Sequence, residues 1–160
     1  MSLRLYLLRH ADAGDPMAWT SDDALRPLSA KGRRQAERLA RHLVAIGFET
    51  DAIISSPKLR ARETAEIVAD ALDLTVRLDE RLAEGFDLEI VDAILRDAGG
   101  PRRPVLVGHD PDFSDLAAGL SGTATVALKK GALVRIDVEE ALAPGGGRLR
   151  WLLPPDAIGG

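Results

Sequence analysis

The sequence predicts an α/β three-layer α/β/α sandwich: a mostly parallel central sheet, helices on both faces, and antiparallel strands at a C-terminal edge. Two observations predict it. Short apolar runs that read as buried strands alternate with segments of helical periodicity as far as residue 120. After that point the helical pattern stops, and short apolar segments follow one another through glycine-containing turns.

The first strand is expected over residues 3–8, where Leu3, Leu5, Leu7 and Leu8 climb to an abrupt stop at Arg9-His10. A long loop, Ala11–Pro27, follows, with Asp, Gly and Pro scattered through it. A helix over residues 29–46 places Ala36, Leu39, Ala40 and Leu43 at helical spacing and ends at Gly47, a fitting C-cap. The strand at 51–55 runs into Ser55-Ser56-Pro57, residues that start helices, so a helix is expected over 58–72. Arg60 falls in its first turn and Thr64 one turn later. A strand at 74–78, a helix at 87–98, a strand at 104–108 ending in His109, and a helix at 112–120 complete the alternation. Thr125–Leu128, Ala132–Val138 and Arg148–Leu153 read as the added strands.

Residues 1–160 are expected to form one domain with a sizeable core. Hydrophobic residues make up 46% and charged residues 29%, which excludes a disordered or fibrous chain. No apolar run approaches the ~18 residues needed to cross a bilayer, and no signal peptide is apparent at the start. The absence of cysteine excludes thiolate chemistry and suits a cytoplasmic location. A net charge of −4 argues against nucleic-acid binding. The basic residues Lys31, Arg33, Arg34, Arg38 and Arg41 read as a solvated helix face, offset by Asp12, Asp15, Asp22 and Asp23 upstream.

Polar groups where a buried strand ends lie at the crevice in which α/β folds bind ligands. Here Arg9-His10 and His109 follow strands, and Arg60 opens a helix whose N-terminus carries unpaired N–H groups and partial positive charge. The guanidinium's planar fork suits phosphate. Two strand-end histidines with two such arginines therefore point to phosphate chemistry.

At these residues the chain resembles the histidine phosphatase superfamily, and most fully its small bacterial SixA-type phosphohistidine phosphatase branch. Leu7-Leu8-Arg9-His10-Ala11 is similar to the signature after the first strand, with alanine where many relatives carry glycine. Leu28-Ser29-Ala30-Lys31-Gly32-Arg33-Arg34-Gln35-Ala36 looks like the usual opening of the first helix. Ser56-Pro57-Lys58-Leu59-Arg60-Ala61-Arg62-Glu63-Thr64-Ala65 resembles the second motif, and Val107-Gly108-His109 the third. Leu128-Lys129-Lys130-Gly131-Ala132-Leu133 also looks like the SixA branch. The resemblance implies a phosphoglycerate mutase-like sandwich.

Phosphoryl transfer needs a nucleophile, charge neutralisation around three oxygens and protonation of the leaving group. His10 is the candidate nucleophile, forming a covalent phosphohistidine. Arg9 and Arg60 are candidates to clamp the phosphoryl oxygens through bidentate bonds. His109, as imidazolium, would stabilise developing charge. The resemblance assigns the same four roles, and points to Glu84, within Arg81-Leu82-Ala83-Glu84-Gly85, as general acid; Glu80 and Asp87 compete for that place. No cofactor or metal is expected: the histidines lack HxH or HExxH spacing, and two arginines repel a divalent cation. His42 reads as a surface residue, and no P-loop is present.

The expected substrate is a phosphohistidine on a signalling protein, releasing inorganic phosphate. Imidazole, with a pKa near ~6.5, leaves far more easily than an alkoxide, so a P–N phosphatase manages with a weak acid. Only some twelve residues separate the Arg60 helix from the Glu84 segment, leaving no lid-forming insertion and disfavouring a mutase. Two alternatives stay open at this point: a phosphatase of small phosphate esters or anhydrides, and a non-catalytic phosphate-binding module.

Overall fold

β1, Leu3–Arg9, lies in the middle of the molecule because both of its faces are apolar. In the computed structural model, which describes residues 2–159, the elements after it are α1 (Ala30–Ala45), β2 (Ala52–Ser55), α2 (Leu59–Leu72) and β3 (Val76–Leu78). Then come α3 (Leu88–Asp97), β4 (Pro104–Gly108), α4 (Asp112–Ser121), β5 (Leu133–Val138) and β6 (Gly147–Leu153). The six strands form one sheet in the order β3-β2-β4-β1-β5-β6. The first four run parallel, whereas β5 pairs antiparallel with β1 and β6 antiparallel with β5.

Side-chain alternation along the strands divides the core into two layers. Leu5 and Leu7 join Leu106, Val134 and Ile136 on one face, covered by Val91 and Ile94 of α3 and Phe113, Leu116 and Leu120 of α4. Tyr6 and Leu8 join Val105 and Val107 on the other, under Leu39 and Leu43 of α1 and Ala61, Ala65 and Val68 of α2. The three-layer α/β/α architecture with its C-terminal antiparallel addition is thus observed. Helix α1 starts where Ser29 Oγ accepts from Gly32 N (3.0 Å), and Gly47 follows it in the left-handed region, φ 67°.

One expected strand is absent. Thr125–Leu128 forms no ladder, because the place beside β1 is filled by β5. Leu128 is buried, and its carbonyl accepts from Arg9 Nη1 (2.8 Å) in place of a strand partner. β3 is also shorter than expected, beginning at Val76. Among the described residues no helix is long and apolar enough to cross a membrane.

Candidate active site

Strand register brings the two histidines together. Arg9 is the Cα partner of Gly108, so the next residues, His10 and His109, emerge side by side with ring centroids 5.3 Å apart. In the same way Ser55 faces Val107 across β2 and β4, which delivers Ser56 to His109: Oγ lies 2.8 Å from Nε2. Gly108 is required at this point, since a Cβ there would lie 2.8 Å from Phe113 Cζ. The carboxyl ends of β1, β4 and β2 therefore converge on one crevice.

His10 has a determined tautomer. Its Nδ1 lies 2.7 Å from the Ala11 carbonyl, which can only accept, so Nδ1 carries the proton and Nε2 keeps its lone pair. The Ala11 peptide is itself held, its N–H donating to Thr64 Oγ1 (3.1 Å) while the Thr64 hydroxyl donates to the Arg60 carbonyl (2.8 Å). Gly131 N donates to the Arg9 and His10 carbonyls from behind (3.1 and 3.0 Å). Burial pushes the His10 pKa down to about 4, with Arg60, Arg9 and Arg26 lowering it further and the Ala11 bond opposing them. The imidazole is neutral near pH 7.

At His109, where an imidazolium is expected opposite developing charge, the ring by itself is neutral near pH 7. Burial first, then the charges of His10, Arg60 and Lys58, push its pKa down to about 3. Ser56 Oγ accepts from Lys58 N (3.2 Å) and still has both a proton and a lone pair with which to meet His109 Nε2. His109 Nδ1 is buried without a partner in the protein, as are Arg9 Nε and Arg60 Nε. Buried polar atoms are almost always satisfied, and these three unpartnered nitrogens belong to the residues that stand around His10.

The two arginines of α2 separate as helical geometry requires, residues two apart differing by roughly 200°. Arg60 is 6% exposed and points inward, whereas Arg62 faces solvent and pairs with Glu66 (2.7 Å). Arg60 is held by the long loop, through Nη1 to the Asp23 carbonyl (2.9 Å) and Nη2 to Asp23 Oδ2 (3.0 Å). Partial burial works against the Asp23 carboxylate, but Arg26 and Arg60 hold it below the usual carboxylate range. Arg9 donates to Leu128 O and lies 3.7 Å from Asp110.

Sequence reading does not place Arg26 in the site, and it reads Asp23 only as an offset to the basic face of α1. Arg26 is 8% exposed, donates to the Ala13 carbonyl (2.7 Å) and bonds Asp23 (3.2 Å). The available signal was an arginine set between Leu25 and Pro27-Leu28 in an otherwise acidic loop. Of the acidic residues expected to offset the basic face of α1, only Asp12 does so, lying within the field of Lys31. Asp15 and Asp22 cap short 3-10 turns, Asp23 binds arginines, and Asp12 accepts from Ser29 Oγ (2.6 Å).

Glu84 is not brought into this cluster. It is exposed, in the bend after a 3-10 turn anchored by buried Leu82. Gly85 N donates to Asp112 Oδ2 (3.2 Å), which ties the bend to the start of α4, just beyond His109. Of its competitors, Glu80 is exposed and Asp87 caps α3 by accepting from Ile90 N (2.9 Å). His42 is half-buried in α1. No group of three or more His, Asp or Glu side chains suited to a metal occurs among the described residues.

Comparison with known proteins matches residues 5–89 to the model of the histidine phosphatase superfamily (branch 1). An uncharacterized protein of Picosynechococcus is 34% identical over 138 residues, covering 82% of this chain and 83% of that protein. Phosphohistidine phosphatase SixA of Escherichia coli K12 is 27% identical over 158 residues, covering 96% of this chain and 94% of SixA. The solved structure of the protein histidine phosphatase SixA complexed with tungstate superposes with a TM-score of 0.84 at 25% identity, covering 98% and 100% of the two chains.

Proposed function

Because the chain belongs to the histidine phosphatase superfamily, we propose that it is a phosphatase working through a phosphohistidine on His10, with a phosphohistidine protein as substrate. The observation that carries the reading is the neutral, buried His10 with a free Nε2, set beside His109 at the ends of β1 and β4. The SixA neighbour is complexed with tungstate, a tetrahedral oxyanion, which supports a phosphoryl site in this fold.

In the first step His10 Nε2 forms a bond to phosphorus as the substrate's P–N bond breaks, its electron pair leaving with the substrate imidazole, which takes a proton from solvent water. In the second, water attacks phosphorus, the bond to Nε2 breaks, and inorganic phosphate departs with His10 regenerated. Arg9 and Arg60 neutralise the non-bridging oxygens. His109, protonated on Nδ1 and held by Ser56, donates a hydrogen bond to one of them. The charge is thus met by side chains, with no metal required. A phosphoryl dianion competes with Asp23 for Arg60.

The leaving group supports the substrate class. Glu84 is exposed, and imidazole is a leaving group that needs little acid help. A panel of a phosphohistidine protein, phosphoramidate, an aryl phosphate and a sugar phosphate, with chelator throughout, tests the reading. The two P–N substrates are expected to lead in kcat/KM. Rapid quench should trap acid-labile, base-stable phosphate on the wild type and none on His10→Ala. A panel led by sugar phosphate would overturn the substrate class. Labelling elsewhere, with His10→Ala active, would overturn the mechanism.

A further inference from the structure

A cleft of about 750 Å³ adjoins the crevice, with Arg9 in its wall. Besides Arg9 it is lined by Lys31, Arg34, Arg38, Lys129 and Lys130, against only two carboxylates, Asp12 and Asp156. Both carboxylates are engaged: Lys130 lies 3.6 Å from Asp12 and Lys129 lies 3.5 Å from Asp156. Among the described residues, Lys31, Arg34 and Arg38 enter no ion pair, although neighbouring Arg33 pairs with Glu63. Arg38 Nε is buried with no hydrogen-bond partner.

The three stand at spacings of three and four along α1, so they share one face. With a rise of 1.5 Å per residue the row is roughly 10 Å long. A solvated face needs no cleft, and a single phosphate held by Arg9 and Arg60 does not span such a row. In a chain of net charge −4, this is a local reversal of sign leading away from the phosphoryl site.

We propose that the cleft docks acidic side chains flanking the phosphorylated residue of a protein substrate, with Lys31, Arg34 and Arg38 reading carboxylates spaced along it. The inference rests on the phosphoprotein reading above. A row of cations matches charges distributed along a peptide, where a point anion would call for converging donors. Such solvent-facing pairs are individually weak and salt-sensitive, so they act on KM and association rate rather than on kcat.

The test is the full chain carrying Lys31→Gln, Arg34→Gln and Arg38→Gln together. The probe is a fluorescein-labelled decaglutamate peptide followed by anisotropy, alongside aryl phosphate and phosphohistidine-protein kinetics. Wild type should bind the peptide and release it at about 0.3 M salt. The variant should bind it about tenfold more weakly. Aryl phosphate hydrolysis should stay within about twofold, which also verifies folding, while KM for an acidic phosphohistidine protein rises at constant kcat. Equal peptide binding by both proteins, or none by wild type, would overturn the docking site. So would tripolyphosphate binding that the variant loses while the peptide never binds, since the row would then serve small polyphosphates. The peptide readout needs no turnover: peptide binding without phosphohistidine hydrolysis would overturn the proposed substrate while supporting the acidic-segment site.

Discussion

Replacing Thr64 by valine removes one hydroxyl and disconnects the candidate nucleophile from the α2 helix. The side chain is fully buried, so water cannot take the place of its oxygen. Ala11 N–H loses its acceptor at 3.1 Å, and a buried donor left unsatisfied costs about 1–3 kcal/mol. For a chain of this size that lowers Tm by roughly 2–12 °C, at about 2–4 °C per kcal/mol. The carbonyl of the same residue fixes the proton on His10 Nδ1, so loosening Ala11 also frees the imidazole to rotate. We therefore expect kcat on an aryl phosphate to fall further than KM changes. Urea denaturation gives the stability change and steady-state kinetics the split. Thr64→Ser separates the two effects: losing a buried methyl costs about 0.5–1.5 kcal/mol, yet the hydroxyl and kcat should be kept. If Thr64→Val keeps wild-type stability within 0.3 kcal/mol, or both variants lose kcat equally, the hydroxyl is not what positions His10.

Other expectations follow from the same geometry. Arg60→Ala should lose most of kcat/KM and competitive phosphate binding while Arg62→Ala loses little, and equal losses would misplace the crevice. The acid limb of kcat/KM should fall near pH 4, the value to which burial pushes His10, and a limb near 6.5 would refute its neutral form at lower pH. Between about 4 and 6.5 the unfolded chain binds protons that His10 and His109 refuse when folded. Stability should therefore drop as pH falls through that window, by up to about 1.4 kcal/mol per pH unit for each histidine, and the slope should lose one histidine's share in His10→Ala. Glu84→Gln should barely slow a phosphohistidine protein; if the residue protonates leaving groups, an alkyl phosphate should slow far more, within the ~10²–10⁴-fold range of acid catalysis. Gly32→Ala should fold poorly by thermal melt, because the added Cβ would stand 1.9 Å from the Asp12 carbonyl oxygen.

What the sequence made legible was local in origin. The apolar runs of β1 and β4 announce themselves by composition, and the divergence of Arg60 from Arg62 is dictated by helical pitch. The protonation of His109 was not legible, because it depends on burial and on His10 across the sheet, a juxtaposition created by register. The site roles of Asp23 and Arg26 were missed for a similar reason: their partners lie on α2 and at Ala13, reached only by the fold of a loop without periodicity. Thr125–Leu128 has the alternation of a strand, but alternation reports which side chains are buried and not whether a neighbour is free to pair. The resemblance supplied Glu84 by position in a motif, and no local rule says whether that position turns inward.

The sheet order also has a consequence for how the chain is made. β1 is synthesised before every other strand, yet its two neighbours are β4 and β5: Tyr6 pairs with Val105 on one side and with Arg135 on the other. At about 5–20 residues per second, roughly 5–25 seconds of translation separate the appearance of the central strand from its ladder partners. Throughout that interval Leu5, Leu7 and Leu8 have no sheet to enter, and the α1 and α2 faces that cover one side of β1 can only collapse loosely against it. The halves of the candidate site are born equally far apart, so no nascent fragment lacking β4 joins His10 to His109. The core and the candidate site are completed together, late, when the last parallel strand slots between β2 and β1.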